Sequence, residues 1–214
     1  FFDIFLFSFG LFKEFVYNYG IERIEEFNAI LRESPDGQIL RYKNPGRYPL
    51  LKRVLQNATS IIVHSQTTAT QLTRMGYKRR ICMIPLLNYY DKFQGASHDA
   101  VLLSRKQLGV ENDELLLGCF GFIGPTKRMP SVLKALGLLK QQVRFKLLVV
   151  GEGDDLSACV YDNGLEKHII QKGFVTDEEF NQYLQSIDIL LNLRFPSMGE
   201  SSATLIQAMA FARP

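Results

Sequence analysis

Apolar positions change period along the chain. In the first third they recur at helical spacing. Phe12, Phe15, Val16 and Tyr19 share a face ahead of Gly20, and residues 21–31 repeat the pattern with Glu25 and Glu26 on the solvated side. Ser34-Pro35-Asp36-Gly37 and Lys43-Asn44-Pro45-Gly46 read as turns, and Leu50, Leu51, Val54 and Leu55 as a short amphipathic helix. From residue 60 compact apolar runs alternate with helical patterns. Residues 60–64 form a strand, Ser65 caps a helix with Leu72 and Met75 facing inward, Gly76 stops it, and 80–85 form the next strand. Residues 88–112, with Asn88, Tyr89, Tyr90, Gly95 and Ser97, lose the pattern and read as a linker interrupted by a helix over 100–108.

The second half repeats strand and helix four times. Strands are expected at 115–121, 145–150, within 168–174, and at 187–193. Helices are expected at 131–140 with Pro130 near the first turn, at 156–163, after 176, and after 200. Thr176 and Glu179 have capping-box spacing. Near-continuous apolar strands separated by helices define an α/β class with a doubly wound parallel sheet covered on both faces.

Composition narrows this little. The chain has 214 residues, 46% hydrophobic and 22% charged, with a formal net charge of +3. That is an ordinary globular make-up, and the charge is too small to argue for nucleic acid. Cys82, Cys119 and Cys159 lack metal-ligand spacing and read as free thiols of a reducing compartment; His64, His98 and His168 form no cluster, so no metal site is expected. The opening FFDIFLFSFGLF is too short to span a bilayer and lacks the marks of a signal peptide. It reads as core material, with a membrane-surface role as the alternative. The first residue is not Met and the last two, Arg213 and Pro214, follow a helix directly, so the chain reads as a piece of a longer protein.

Ligands of such sheets bind beyond the carboxyl ends of the strands, and three loops there carry candidate chemistry. Gly121 and Gly124 allow close backbone approach, and Lys127 and Arg128 place two cations beside them. A diphosphate would neutralise the pair; a solvated basic loop is the plainer reading. Gly151-Glu152-Gly153-Asp154-Asp155 begins like a dinucleotide fingerprint. Leu156 takes its third glycine position and three carboxylates would repel a pyrophosphate, so a nicotinamide site is rejected. In residues 193–214 a strand, a turn and a helix follow in order. Leu205, Ala208, Met209 and Ala212 are expected on the core face, with Glu200, Thr204, Gln207 and Phe211 opposite. This start, rich in hydroxyls, is either a phosphate or sugar site or an ordinary capped helix.

Four stretches in this order, 121–128 (GFIGPTKR), 149–153 (VVGEG), 173–175 (GFV) and 194–214 (RFPSMGESSATLIQAMAFARP), resemble a retaining glycosyltransferase of family 4, group 1. Residues 17–20 through 48–49 resemble the end of the acceptor domain of some members. The resemblance implies a GT-B fold of two Rossmann-like doubly wound domains, both incomplete. Residues 1–87 would end the acceptor domain, 88–112 link, and 113–214 form a donor domain truncated at its end. It implies Lys127 on the donor diphosphate with Arg128 beside it, Glu200 on the donor sugar, and Gln207 at the place of a ribose-binding glutamate. Gly121, Gly124, Ser201, Ser202 and Thr204 would line the donor site. Glu200 and Gln207 are separated by six residues where the family has seven, and Phe122 stands where many members have arginine.

The implied reaction moves a sugar from a nucleotide-diphosphate-sugar to a glycan, lipid-linked or other small acceptor, with retention of configuration, in glycan or polysaccharide biosynthesis. It needs no metal or other cofactor, the family's acceptor-side histidine would lie upstream of Phe1, and His64 reads as structural. The compartment is the cytoplasm, with the inner face of the membrane as an alternative, and nucleic acid is not a partner. A sugar-nucleotide epimerase of the same fold and a non-catalytic nucleotide-binding module are the competing readings.

Overall fold

The computed structural model describes residues 10–33, 46–86, 95–197 and 199–214. The turn expected at 34–37, most of that at 43–46, the first nine residues, and Asn88, Tyr89 and Tyr90 of the linker lie outside them. The described residues divide into two units, 1–85 with 196–201, and 86–195 with 202–214. Among them no helix is long and apolar enough to cross a membrane.

The first unit holds α1 (Gly10–Tyr19), a 3₁₀ turn (Ile21–Arg23), α2 (Ile24–Glu33), α3 (Lys52–Asn57), β1 (Ser60–Val63), α4 (Gln66–Arg74) and β2 (Arg80–Met83). The aromatic spacing read in α1 has its physical basis here. Phe15 is fully buried, with Phe27, Tyr19 and Tyr48 rings 4.9, 5.0 and 5.3 Å from its own. Buried Glu14 accepts from Arg53 Nε at 3.1 Å. β1 and β2 pair in parallel from Ser60↔Arg80 to Val63↔Met83, and Ser65 caps α4 by accepting from the Thr68 N–H. Met75 does not face inward as expected. It is 39% exposed, because the chain turns at Gly76 (φ +88°) and buried Tyr77 fills the space beside Leu72 and Val63 instead.

The second unit opens with α5 (His98–Gln107), the helix read inside the linker. Arg105 fastens it by donating to Ser186 O at 3.0 Å, Asp188 Oδ2 at 2.9 Å and Glu114 O at 2.7 Å. There follow β3 (Leu115–Phe120), a 3₁₀ turn (Pro125–Lys127), α6 (Met129–Leu139), β4 (Phe145–Val150), α7 (Ser157–Asp162), β5 (Ile169–Gln171), α8 (Asp177–Ser186), β6 (Ile189–Leu190) and α9 (Ala203–Ala210). All strand pairs are parallel and the order is β5-β4-β3-β6. The chain therefore winds outward from β3 through β4 to β5, then returns to the other side of β3. That reversal makes a topological switch point between β3 and β6.

The period of two along β3 distributes its side chains to two cores. Leu117 and Cys119 belong to a core with Met129 and Leu133 of α6 and Cys159 of α7, while Leu116 and Phe120 pack with Leu184, Ile187 and Ala208. The capping box of Thr176 and Glu179 forms as read. The strand expected over 187–193 shrinks to two residues. Ile187 is core and the Asp188 carboxylate accepts from the Leu116 N–H at 2.7 Å, while Ile189 and Leu193 are exposed.

Candidate functional site

Lys127 is the centre of the second unit's candidate site. Gly121 takes a left-handed φ of +88° directly after β3, and the chain closes a 3₁₀ turn in which the Lys127 N–H donates to Gly124 O at 2.9 Å. Gly124 itself is extended and buried, against the Phe122 ring. The turn swings the Lys127 side chain back under the strand end. Its ammonium donates to Phe120 O at 2.7 Å and the residue is only 6% exposed. The plainer reading, a solvated basic loop, therefore does not describe Lys127. Burial pushes its pKa below the ordinary 10.5; the Cys119 thiol opposes this and the charge of Arg194 adds to it. Among the described residues no carboxylate forms an ion pair with Lys127. A desolvated ammonium with three donors and a neutral carbonyl partner is poised to take an anion.

Arg128 is exposed and has φ +58°, a conformation that lets its carbonyl accept from the Ser131 and Val132 N–H groups and start α6. Its guanidinium donates to Ser131 Oγ at 3.1 Å and lies 5.5 Å from the Phe195 ring centre. The two adjacent cations thus part company: one is buried under the strand, the other lies over an aromatic ring on the surface.

The glycines of 151–153 serve the neighbouring loop. A Cβ on Gly151 would sit 2.4 Å from Gly121 O, and one on Gly153 would sit 2.1 Å from Ile123 O. Ile123 N–H donates to Glu152 O and Asp154 N–H to Ile123 O. The motif brings backbone against backbone and supports the Gly121–Lys127 turn from beneath. Glu152, Asp154 and Asp155 line a shallow cleft of about 270 Å³ beyond β4.

Beyond β6, α9 begins at Ala203, three residues later than a start at 200 would place it. Ser202 is its cap, accepting from the Leu205 N–H at 3.3 Å and donating to Asn192 Oδ1 at 3.2 Å. This changes which face is inward. Ala208 is fully buried and Thr204, Gln207 and Phe211 are half-buried, whereas Leu205 and Met209 are exposed. The expected core stripe of Leu205, Ala208, Met209 and Ala212 is corrected on this point. Thr204 Oγ1 comes within 4.0 Å of where a Gly121 Cβ would stand, so the helix start faces the β3 loop.

The structure thus brings Gly121, Gly124, Lys127, Arg128, Ser202, Thr204 and Gln207 into the second unit, with the loops after β3 and β6 at its switch point. Glu200 and Ser201 fall in the segment grouped with the first unit. There Ser65 Oγ donates to Gly199 O at 2.6 Å, Ser201 Oγ donates to His64 O at 3.2 Å, and exposed Glu200 accepts from Ser197 Oγ at 3.2 Å. The His64 Nδ1 lies 2.8 Å from Ile84 O. Asn192, Phe195 and the Phe120 carbonyl are site elements the sequence reading missed. Asn192 alone left a signal, a polar residue closing an apolar run. Among the described residues no group of three or more His, Cys, Asp or Glu is placed to hold a metal ion.

Residues 114–214 match the family model of the glycosyl transferases group 1. No curated protein matches the chain in sequence. Among solved structures, Anabaena HepE, determined in complex with UDP and glucose, superposes with a TM-score of 0.65 at 20% identity, over 78% of this chain and 45% of that one. WaaG, a glycosyltransferase involved in lipopolysaccharide biosynthesis, gives 0.66 at 16% identity over 80% and 48%. The sucrose-phosphate synthase of Thermosynechococcus elongatus gives 0.61 at 20% over 80% and 43%. The chain therefore spans under half the length of these proteins. The likeness to these structures shows an α/β fold of the GT-B type.

Proposed function

We propose that the second unit binds the nucleotide-diphosphate-sugar donor of a glycosyltransferase that retains anomeric configuration. The observation that carries this reading is the buried Lys127 ammonium at the end of β3, desolvated and, among the described residues, bonded to a neutral carbonyl and to no carboxylate. As the sugar departs, negative charge grows on the leaving diphosphate. Lys127 meets that charge in a water-poor setting where it is effective, and Arg128 and the N–H groups at the start of α9 supplement it. Glu200 accepts from hydroxyls of the donor sugar, and Gln207 hydrogen-bonds the nucleotide. HepE was solved with UDP and with UDP-glucose, which makes UDP the first nucleotide to try.

The acceptor is a glycan or a lipid-linked or other small molecule, and the process is glycan or polysaccharide assembly. All three cysteines are free thiols, which supports a reducing compartment such as the cytoplasm, the inner membrane face included. No metal takes part in this scheme. The test is calorimetric titration with UDP, GDP and ADP, followed by assay of sugar transfer and the product's anomeric configuration by NMR, with and without EDTA. Binding of at least one nucleoside diphosphate, lost in Lys127→Ala, and an anomer matching the donor's are expected. Unaltered binding in Lys127→Ala would overturn the reading.

A further inference from the structure

The first unit has a cleft of about 620 Å³ that the donor reading does not use. Its position follows from topology. Lys52 opens α3, which leads into β1, and Lys78 and Arg79 immediately precede β2. The cleft therefore lies at the amino ends of the two strands, opposite the end where His64 and Ile84 leave them. Lys52, Lys78 and Arg79 line it, and no carboxylate does so among the described residues.

Two of these cations are steadied by neutral carbonyls. Lys52 Nζ donates to Tyr17 O at 3.0 Å, and Arg79 donates to Ala58 O at 2.8 Å. Such bonds fix the side chains and leave their charge uncompensated. The nearby Glu14 carboxylate is already engaged by Arg53. Tyr19 and Tyr77 with Leu55 and Met75 supply an apolar and aromatic wall. The volume falls in the range of small-molecule sites. Three like charges around one concavity attract an anion, and the arginine fork with two ammonium groups suits phosphate oxygens.

We infer that this cleft is a second ligand site, for a phosphate group carried on an apolar or polyol body. The inference does not rest on the transferase reading. Glycerol 3-phosphate is titrated against the protein while the amides of Lys52 and of residues 76–79 are followed by NMR. Separately, co-sedimentation is measured with phosphatidylcholine vesicles containing phosphatidylglycerol. At least one probe is expected to bind, more weakly at higher salt. Lys78→Ala with Arg79→Ala should weaken it about tenfold or more, and Lys127→Ala should leave it unchanged. Both substituted side chains are exposed, so the melting temperature should hold. Saturation by glycerol 3-phosphate identifies a soluble phosphate ester as the ligand, and binding to vesicles alone identifies a lipid headgroup. Failure of both probes, or equal binding by the double variant, overturns the inference.

Discussion

The Phe195 N–H donates to Thr126 O at 2.9 Å. Phe195 follows β6 and Thr126 lies in the 3₁₀ turn after β3, so one backbone bond joins the two loops that flank the switch point. The Phe195 ring also receives the Arg128 guanidinium at 5.5 Å. Both side chains are exposed, which limits that contact to about 0.5–1 kcal/mol. A double-mutant cycle of Arg128→Ala and Phe195→Ala by urea denaturation should give a coupling below ~1 kcal/mol. A coupling well above this would mean that the ring contact, and not the backbone bond, unites the loops.

Lys127→Met should separate function from stability. Relief of the ammonium's desolvation should largely offset the hydrogen bond lost from Phe120 O, so an apolar side chain of similar shape should fold with little change in stability. Nucleoside diphosphate affinity should fall by about 1.5–3 kcal/mol, roughly ten- to more than a hundredfold, as a charge-assisted hydrogen bond is lost. Melting temperature and calorimetric Kd, measured together, check this. A large loss of stability with affinity intact would make the lysine purely structural.

The lowered pKa of Lys127 fixes the sign of two pH effects. A diphosphate favours the ammonium, so binding should weaken as pH rises through the free protein's Lys127 pKa, which lies below 10.5. The limiting slope is about tenfold per pH unit for one proton, and Lys127→Met should abolish it. Stability responds in the opposite sense. Between the folded and unfolded pKa values the unfolded chain holds the extra proton, so the Lys127 contribution grows more favourable as pH climbs through that window. A Kd flat from neutral pH to 10.5 would contradict the assignment.

Gly151→Ala should damage the site indirectly. The new Cβ would stand 2.4 Å from Gly121 O at a φ of +130°, costing about 1–3 kcal/mol for the backbone conformation alone. Relief requires the Gly121 turn to move, so nucleotide affinity should drop along with the melting temperature. A destabilised variant with unaltered Kd would show that the turn's placement is not what the nucleotide reads.

Glu200 and Gln207 should separate by role. Glu200→Gln is expected to lower turnover with little change in nucleoside diphosphate affinity. Gln207→Ala should weaken that affinity by about 0.5–1.5 kcal/mol, the worth of one neutral hydrogen bond. Steady-state kinetics beside calorimetry distinguishes the two, and wild-type values in both variants would remove the pair from the donor site.

Much of this architecture could be read from the residues because its causes are local. Ser65 and the pair Thr176 and Glu179 announce helix starts by their own hydrogen bonds, and the β3 and β4 runs are apolar because both faces of the sheet are covered. The misreadings arise where distant packing decides. The face of α9 depends on Ser202 setting the first turn and on small Ala208 nestling against the sheet, so Leu205 and Met209 turned outward despite their spacing. Nothing near Lys127 announces its burial, which depends on the Gly121 turn and the Gly151 loop beneath it. Asp188 gave no sign that it would bond to the Leu116 N–H, a contact spanning 72 residues.

The clasp made by Arg105 bears on how the second unit is assembled in time. Its bonds to Ser186 and Asp188 span 81 and 83 residues of chain, so they cannot close until β3 and α8 have been brought together. Closing so long a loop costs chain entropy, which these bonds then help to offset. Arg105→Ala is therefore expected to speed unfolding more than it slows folding, as measured by stopped-flow kinetics in urea. In that sense α5 acts as a fastener on the finished unit, setting how long it stays closed more than how quickly it forms.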